Sequence, residues 1–432
     1  MKEPSFQKTI RKGTIRGGKT KMHDAYKMFI GPVHPALEEP IFFNFKIQGE
    51  KVIGTGLKPG NAHRGIEALG MQRNPIQVLY LSERICGICS VSHASSFSRA
   101  VEAAAHIEVP ERADYIRTII CELERLHSHI LWAGLLAHEI GFHSVLHYGM
   151  KVREDVMDLL EYISGNRVNY GMYMIGGVRR DIPKEKHEKI RKSIKYYKEA
   201  FEKLKSVFLD DKTIRMRTEG VGILTKEDAL KLCAVGPTAR GSGVNKDTRQ
   251  DWSYVAYGDV GVKAQLPSQV TGRINGDVLD RTIVRLLEVK QSAEIIERCL
   301  DQMPTGPLIS EPRLAVILSK LKNAEGEGVA RTEAPRGELH HYVRLAKKDV
   351  VDTWKAKAPT YNNLLTVPLM MKDAQIADIP VVICSIDPCI ACLDRVSIID
   401  GNSGRSMNKY DLHELCLRKS EMFGKIERGH HK

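Results

Sequence analysis

Residues 111–140 read ERADYIRTIICELERLHSHILWAGLLAHEI. Within this stretch Ile116, Ile119, Ile120, Leu123, Leu126 and Ile130 recur mostly at steps of three or four. That period places them on one face of an α-helix. The same stripe returns in 187–208 with Ile190, Ile194, Tyr197, Phe201 and Leu204, and in 279–300 with Leu279, Ile283, Leu286, Leu287 and Ile296. Long helices that are apolar along one side bury that side against one another, so a central bundle follows. The stripes are core and not cofactor contacts.

Outward from the bundle the period changes. Ile41, Phe43, Phe45 and Ile47 alternate with polar residues, Gln48-Gly49-Glu50 turns, and a second strand begins near Val52, a hairpin over 41–57. A second hairpin is expected over 337–357. Residues 236–276 are rich in Gly, Ser and Thr and lack a period, so they read as an irregular segment packed on the bundle. Their Gly241-Ser242-Gly243 has no strand–turn–helix setting and does not read as a nucleotide loop. The fold class is α+β: a central long-helix bundle with small peripheral β-sheets.

The chain has 432 residues, of which 42% are hydrophobic and 6% aromatic. No run of about 18 uncharged apolar residues marks a membrane span. Residues 1–24 are basic with no apolar stretch after them, and read as a flexible tail and not as a secretory signal. The net charge of +12 is spread through segments such as 184–206, where Glu and Lys alternate as on a solvated helix face. With no nucleic-acid-binding motif beside it, this charge does not imply a nucleic-acid partner.

Nine cysteines without a secretory signal do not form a disulfide framework. Four of them fall in two C-x-x-C pairs, Arg84-Ile85-Cys86-Gly87-Ile88-Cys89 and Asp387-Pro388-Cys389-Ile390-Ala391-Cys392. Two pairs offer four soft thiolates, suited to zinc, an Fe–S cluster, Cu(I) or a thiolate-bound nickel–iron pair. Spacing alone favours zinc. A thioredoxin-like dithiol needs a βαβ setting that is absent, and no His follows either pair as covalent haem attachment requires.

The flanks point elsewhere. The first motif, with His93 four residues on, resembles the first signature of nickel–iron hydrogenase large subunits. The second, with Arg395 after it, resembles the second. Ala334-Pro335-Arg336-Gly337 with His340-His341 resembles the Arg-bearing loop of that family. Gly31-Pro32-Val33-His34-Pro35 with Glu38-Glu39-Pro40 resembles the start of its energy-converting, membrane-associated branch. That branch is related to the quinone-site subunit of respiratory complex I. Shared with it are His63-Arg64-Gly65 with Glu67, Glu122-Leu123-Glu124-Arg125 with Ser128-His129, and Ser164-Gly165-Asn166-Arg167 with Gly176-Gly177-Val178. The resemblance covers roughly 25–405, and the complex I relative lacks the four cysteines.

The resemblance implies roles. Cys86, Cys89, Cys389 and Cys392 would bind nickel, with Cys89 and Cys392 bridging to an iron that carries CO and cyanide. Splitting H2 needs a Lewis-acidic metal and a nearby base. A terminal thiolate and then Glu39 would pass the proton, with Glu38 as the competing acid. Arg336 would lie over the iron, offering a permanent charge and several donors. His93 would hydrogen-bond a bridging sulfur, and Asp387 would support Arg336 or the backbone near the metal. His127, His129, His138, His143 and His147 read as core or interface residues. The i,i+4 pair His143 and His147 could bind a metal, but nothing completes such a site.

The domain would span 25–395. Residues 396–432 would be an extension removed after nickel insertion by a maturation endopeptidase cutting between Arg395 and Val396, and Cys416 within it has no implied role. The chain holds no third cysteine cluster and hence no Fe–S cluster of its own. The implied partners are a small subunit with a 4Fe–4S cluster, membrane ion-translocating subunits and, through other subunits, ferredoxin. The implied location is the cytoplasmic face of the cell membrane. The competing readings are a complex I-like quinone oxidoreductase subunit or scaffold without the metal centre, and a zinc-stapled structural protein.

Overall fold

The structure is a computed structural model that describes residues 25–35 and 37–393, together with 398–399, 406–407, 414–415 and 417–422. The basic tail 1–24, Arg395, the expected cleavage point and Cys416 lie outside the described residues.

The stretch that decided the fold is one helix, α3 (Glu111–Ile140), and every residue of its apolar stripe is buried. Glu111 and Asp114 sit in its first turn and His138 in its last, which suits the helix dipole. Gly141 ends it at φ 94°, a left-handed conformation that glycine adopts without strain. The other two expected helices are α5 (Lys184–Asp210) and α7 (Val278–Gln302). Helix α3 packs on α7, and α7 packs on α5. A further long helix, α4 (His143–Ser164), packs along α3 and completes the bundle.

Small sheets flank the bundle. The expected first hairpin is β2 (Phe42–Gln48) paired with β3 (Lys51–Lys58), and β1 (Tyr26–Ile30) adds a third antiparallel strand. Phe43, Phe45 and Ile47 all point into the core. The second hairpin is β5 (Gly337–Ala346) with β6 (Thr353–Lys357), and β4 (Glu325–Ala334) pairs with the other edge of β5. Helix α2 (Ser90–Ala105) lies across β4 and β5. The approach is close because β4 carries glycine there: a Cβ on Gly328 would sit 1.9 Å from the Ala100 carbonyl oxygen.

Charge is buried where these elements meet. Arg240, on the short helix α6 (Gly236–Gly241), donates to Glu288 of α7 at 2.7 Å and to Glu333 of β4 at 2.9 Å. Arg249 pairs with Asp247 at 2.7 Å and with Glu122 of α3 at 3.2 Å. Arg125 lies 3.3 Å from Glu122, and His129 meets Glu288 at 2.9 Å. All of these groups are buried, so each charge depends on its partners. The network ties α3, α6, α7 and β4 together.

Candidate metal centre

Helix α1 (Pro75–Glu83) ends just before Cys86, and Cys89 caps α2. On the far side, α8 (Ile379–Ser385) ends just before Cys389 and Cys392. The two loops face each other. Cys86 Sγ lies 3.4 Å from Cys389 Sγ, Cys89 Sγ lies 3.4 Å from Cys392 Sγ, and Cys389 and Cys392 are 2.9 Å apart. All four sulfurs lie within 4.8 Å of one another and all four residues are buried. Sulfhydryl hydrogen bonds, first from Cys389 and then from Cys392 and Cys89, hold Cys86 well below the ordinary thiol range, whereas Cys89 and Cys392 are pushed well above it.

Three side chains hold the loops in place. Arg64 donates to the carbonyls of Arg84 at 3.2 Å and Ile85 at 2.5 Å, and to that of Ala391 at 2.9 Å, so one guanidinium spans both cysteine loops. The Glu39 carboxylate accepts from the amides of Ile390 and Ala391 between the second pair. Burial raises the Glu39 carboxyl above its ordinary range, against those amide bonds, which lower it. Glu124 of α3 accepts from the Val91 and Ser92 amides and the Ser92 hydroxyl, which satisfies the free N–H groups at the start of α2. Burial pushes Glu124 up to about 8.

Arg336 sits at the tip of the β4–β5 turn. The turn is tight because Ala334 pairs with Gly337. Gly337 has φ 127°, and a Cβ there would lie 2.7 Å from the Gly236 nitrogen. Arg336 Nε donates to the Asp387 carbonyl at 2.9 Å and Nη2 to Asp387 Oδ1 at 2.8 Å. Its Nη1 is buried and has no hydrogen-bond partner among the described residues, and neither has Asp387 Oδ2. Asp387 itself has φ 52°, an uncommon backbone conformation for a non-glycine residue. Buried Arg donors rarely go unmatched. An unmatched donor beside four sulfurs fits a centre whose anionic ligands would occupy it.

His93 of α2 reaches the same cluster. Its Nε2 lies 3.4 Å from Cys392 Sγ and its Nδ1 lies 3.1 Å from His341 Nε2. His341 Nδ1 in turn accepts from Trp354 Nε1 at 3.2 Å. Burial holds the His93 imidazole down to about 4, so it is neutral at ordinary pH.

A cleft of about 410 Å³ opens beside the second cysteine loop, with Glu38, Glu39, Glu139, Trp132 and Asp387 among its lining residues. The adjacent acids Glu38 and Glu39 both face it, but Glu39 alone reaches the cysteine-loop amides. Glu38 keeps solvent contact at the cleft wall. Desolvation, with Asp387 nearby, raises its carboxyl to about 7.

The seven expected site residues thus converge on one place. The expected histidine cluster divides. His127 and His129 are buried in α3, whereas His138, His143 and His147 are exposed. His138 Nδ1 lies 3.0 Å from His143 Nδ1. Among the described residues the four cysteines are the one group of three or more His, Cys, Asp or Glu side chains close enough to share a metal. Sequence reading did not assign Arg64, Glu124 or Trp354 to the site. Arg64 and Glu124 stand inside quoted motifs, which was the available signal. Trp354 left none.

Comparison with known proteins finds relatives over most of the chain. A family model for nickel-dependent hydrogenase matches residues 64–138, and a model for the respiratory-chain NADH dehydrogenase 49 kDa subunit matches residues 139–322 and 312–395. The membrane-bound hydrogenase subunit alpha of Pyrococcus furiosus is 46% identical over 91% of this chain and 93% of its own length. The carbon monoxide-induced hydrogenase of Rhodospirillum rubrum is 36% identical over 86% of this chain and 99% of its own. Among solved structures, a chain of the membrane-bound sulfane sulfur reductase, an archaeal respiratory membrane complex, superposes with a TM-score of 0.79. It is 30% identical over 86% of this chain and 99% of that one.

Proposed function

Because this chain belongs to the family that unites the large subunits of membrane-bound nickel–iron hydrogenases with the 49 kDa subunit of complex I, we propose that it is the catalytic subunit of a hydrogenase. The proposal rests chiefly on one observation: four buried cysteine sulfurs within 4.8 Å of one another, next to a buried arginine nitrogen without a partner. Cys86, Cys89, Cys389 and Cys392 would hold the nickel–iron centre, with CO and cyanide on the iron. When bound, that centre supplies the reversible interconversion of H2 with protons and electrons.

The chain's own residues do the rest. Arg336 offers its free Nη1 to anionic ligands while Asp387 fixes the guanidinium plane. His93 offers an N–H to Cys392. Glu39, seated on the amides of the second loop, accepts the proton that a cysteine thiol gives up and passes it to the cleft that Glu38 and Glu139 line. Its raised pKa suits an acid that must alternate between two protonation states. Burial of the cluster keeps bulk water from the sulfurs.

The chain offers no Fe–S ligand set besides this one among the described residues, so electrons leave through a partner. We assign that role to a small subunit with a 4Fe–4S cluster, ferredoxin acting through further subunits. No described helix is long and apolar enough to cross a membrane. Association with membrane ion-translocating subunits, at the cytoplasmic face, therefore rests on partner contacts. Cleavage after Arg395 by a maturation endopeptidase is part of the same proposal. Intact mass of the nickel-loaded chain tests it, and a mass that includes 396–432 rules it out.

The second reading is a complex I-like subunit or scaffold without the centre, favoured by the long match to the 49 kDa family. The replacement Cys389→Ser separates the two. The hydrogenase reading expects loss of nickel and of H2 turnover from the assembled complex. Unchanged turnover in that variant would contradict it.

A further inference from the structure

We infer that Trp354 and His341 are positioning residues that lock the tautomer of His93, so that His93 can only donate its Nε2–H to the sulfur of Cys392. An indole nitrogen donates and never accepts. Trp354 Nε1 lies 3.2 Å from His341 Nδ1, so that nitrogen must present its lone pair. His341 is then neutral and carries its proton on Nε2. That N–H faces His93 Nδ1 at 3.1 Å, and two N–H groups cannot face each other there, so His93 Nδ1 is the acceptor. The His93 proton is thereby placed on Nε2, 3.4 Å from Cys392 Sγ.

The scaffold makes this chain of donors rigid. His341 and Trp354 lie on neighbouring strands β5 and β6, where Val343 pairs with Trp354 and His341 with Ala356. They are thus diagonal neighbours on one sheet face. Phe97 of α2 packs edge-on against both rings, with centroids 5.4 Å from Trp354 and 6.4 Å from His341. His93, Phe97, His341 and Trp354 are all buried, so bulk water does not compete for the ring nitrogens.

Cys392 thereby keeps a fixed donor that draws charge from its sulfur. What that donor does for the metal centre rests on the hydrogenase reading; the tautomer assignment does not, because it follows from the protein's own donors.

Selective 15N labelling of histidine in the full chain, metal-free and nickel-loaded, tests the assignment by NMR. The expected spectrum has His93 and His341 both protonated at Nε2 and unprotonated at Nδ1. In Trp354→Phe, His341 loses its enforced acceptor, a mixture of tautomers appears at both residues, and in the loaded complex the CO stretch moves to lower wavenumber. A Nδ1–H on His93 in the native chain overturns the assignment. Native tautomers persisting in Trp354→Phe overturn the role of Trp354. If that variant does not fold, the native spectrum alone decides the assignment. Absence of nickel from the complex would remove the hydrogenase reading and leave the tautomer result standing.

Discussion

Glu39 is the residue on which the proton chemistry turns, and its surroundings define a clean test. Glutamine keeps a carbonyl oxygen for the Ile390 and Ala391 amides but cannot carry the proton. Glu39→Gln is expected to retain nickel while H2 turnover falls by about 100-fold. Full turnover at normal nickel content would refute the relay. Arg336 gives a second test. Lysine keeps the charge but cannot hold Asp387 through two nitrogens and still direct a third at the sulfurs. Arg336→Lys should shift the infrared bands of the iron ligands, and unshifted bands would argue against contact. At this scale the sequence was informative where a motif is local. The cysteines, His93, Arg336 and Asp387 each sit in a short recognisable run. Trp354 reaches the sulfurs through two intervening imidazoles, a path that exists only after β5 and β6 have paired.

Among the elements, α3 was legible from its period alone because a helix buried along a stripe must repeat every three or four residues. Helix α4 has a comparable set in Val145, Val152, Val156, Leu159, Leu160 and Ile163. Strand β4, EGEGVARTEA, escaped for a physical reason. Glycine and charge suppress strand propensity, yet those glycines are what lets α2 lie close on the sheet. The buried ion network joining α3, α6, α7 and β4 predicts a large cost for one replacement. Arg240→Met leaves Glu288 and Glu333 without their main partner, and should destabilise the fold by about 3–5 kcal/mol. Urea unfolding with a midpoint like that of the native chain would show that the network does not hold these elements together.

For the whole molecule, the buried histidines set an acid limit. Burial holds His129 down to about 4 and His127 to about 3. The unfolded chain binds protons at these positions below about 6.5, and the folded chain does not. Each histidine therefore costs stability as pH drops from about 6.5 toward 4, by roughly 2–3 kcal/mol, while the raised carboxyls of Glu38 and Glu124 contribute in the opposite sense over the same range. Histidine NMR shifts should show His127 and His129 still neutral at about pH 5, and titration of either near 6.5 would contradict neutral burial. The α+β architecture was legible because its bundle is periodic, and one four-thiolate site was legible from the two C-x-x-C pairs, whereas a nickel–iron occupant was implied only by family resemblance. Spacing by itself favoured zinc. The choice between zinc, nickel–iron and no metal is what the account most depends on. The deciding measurement is nickel and zinc content of the purified complex together with its infrared spectrum. The account predicts nickel and iron with sharp CO and cyanide bands; zinc without those bands, or no metal at the four cysteines, would contradict it.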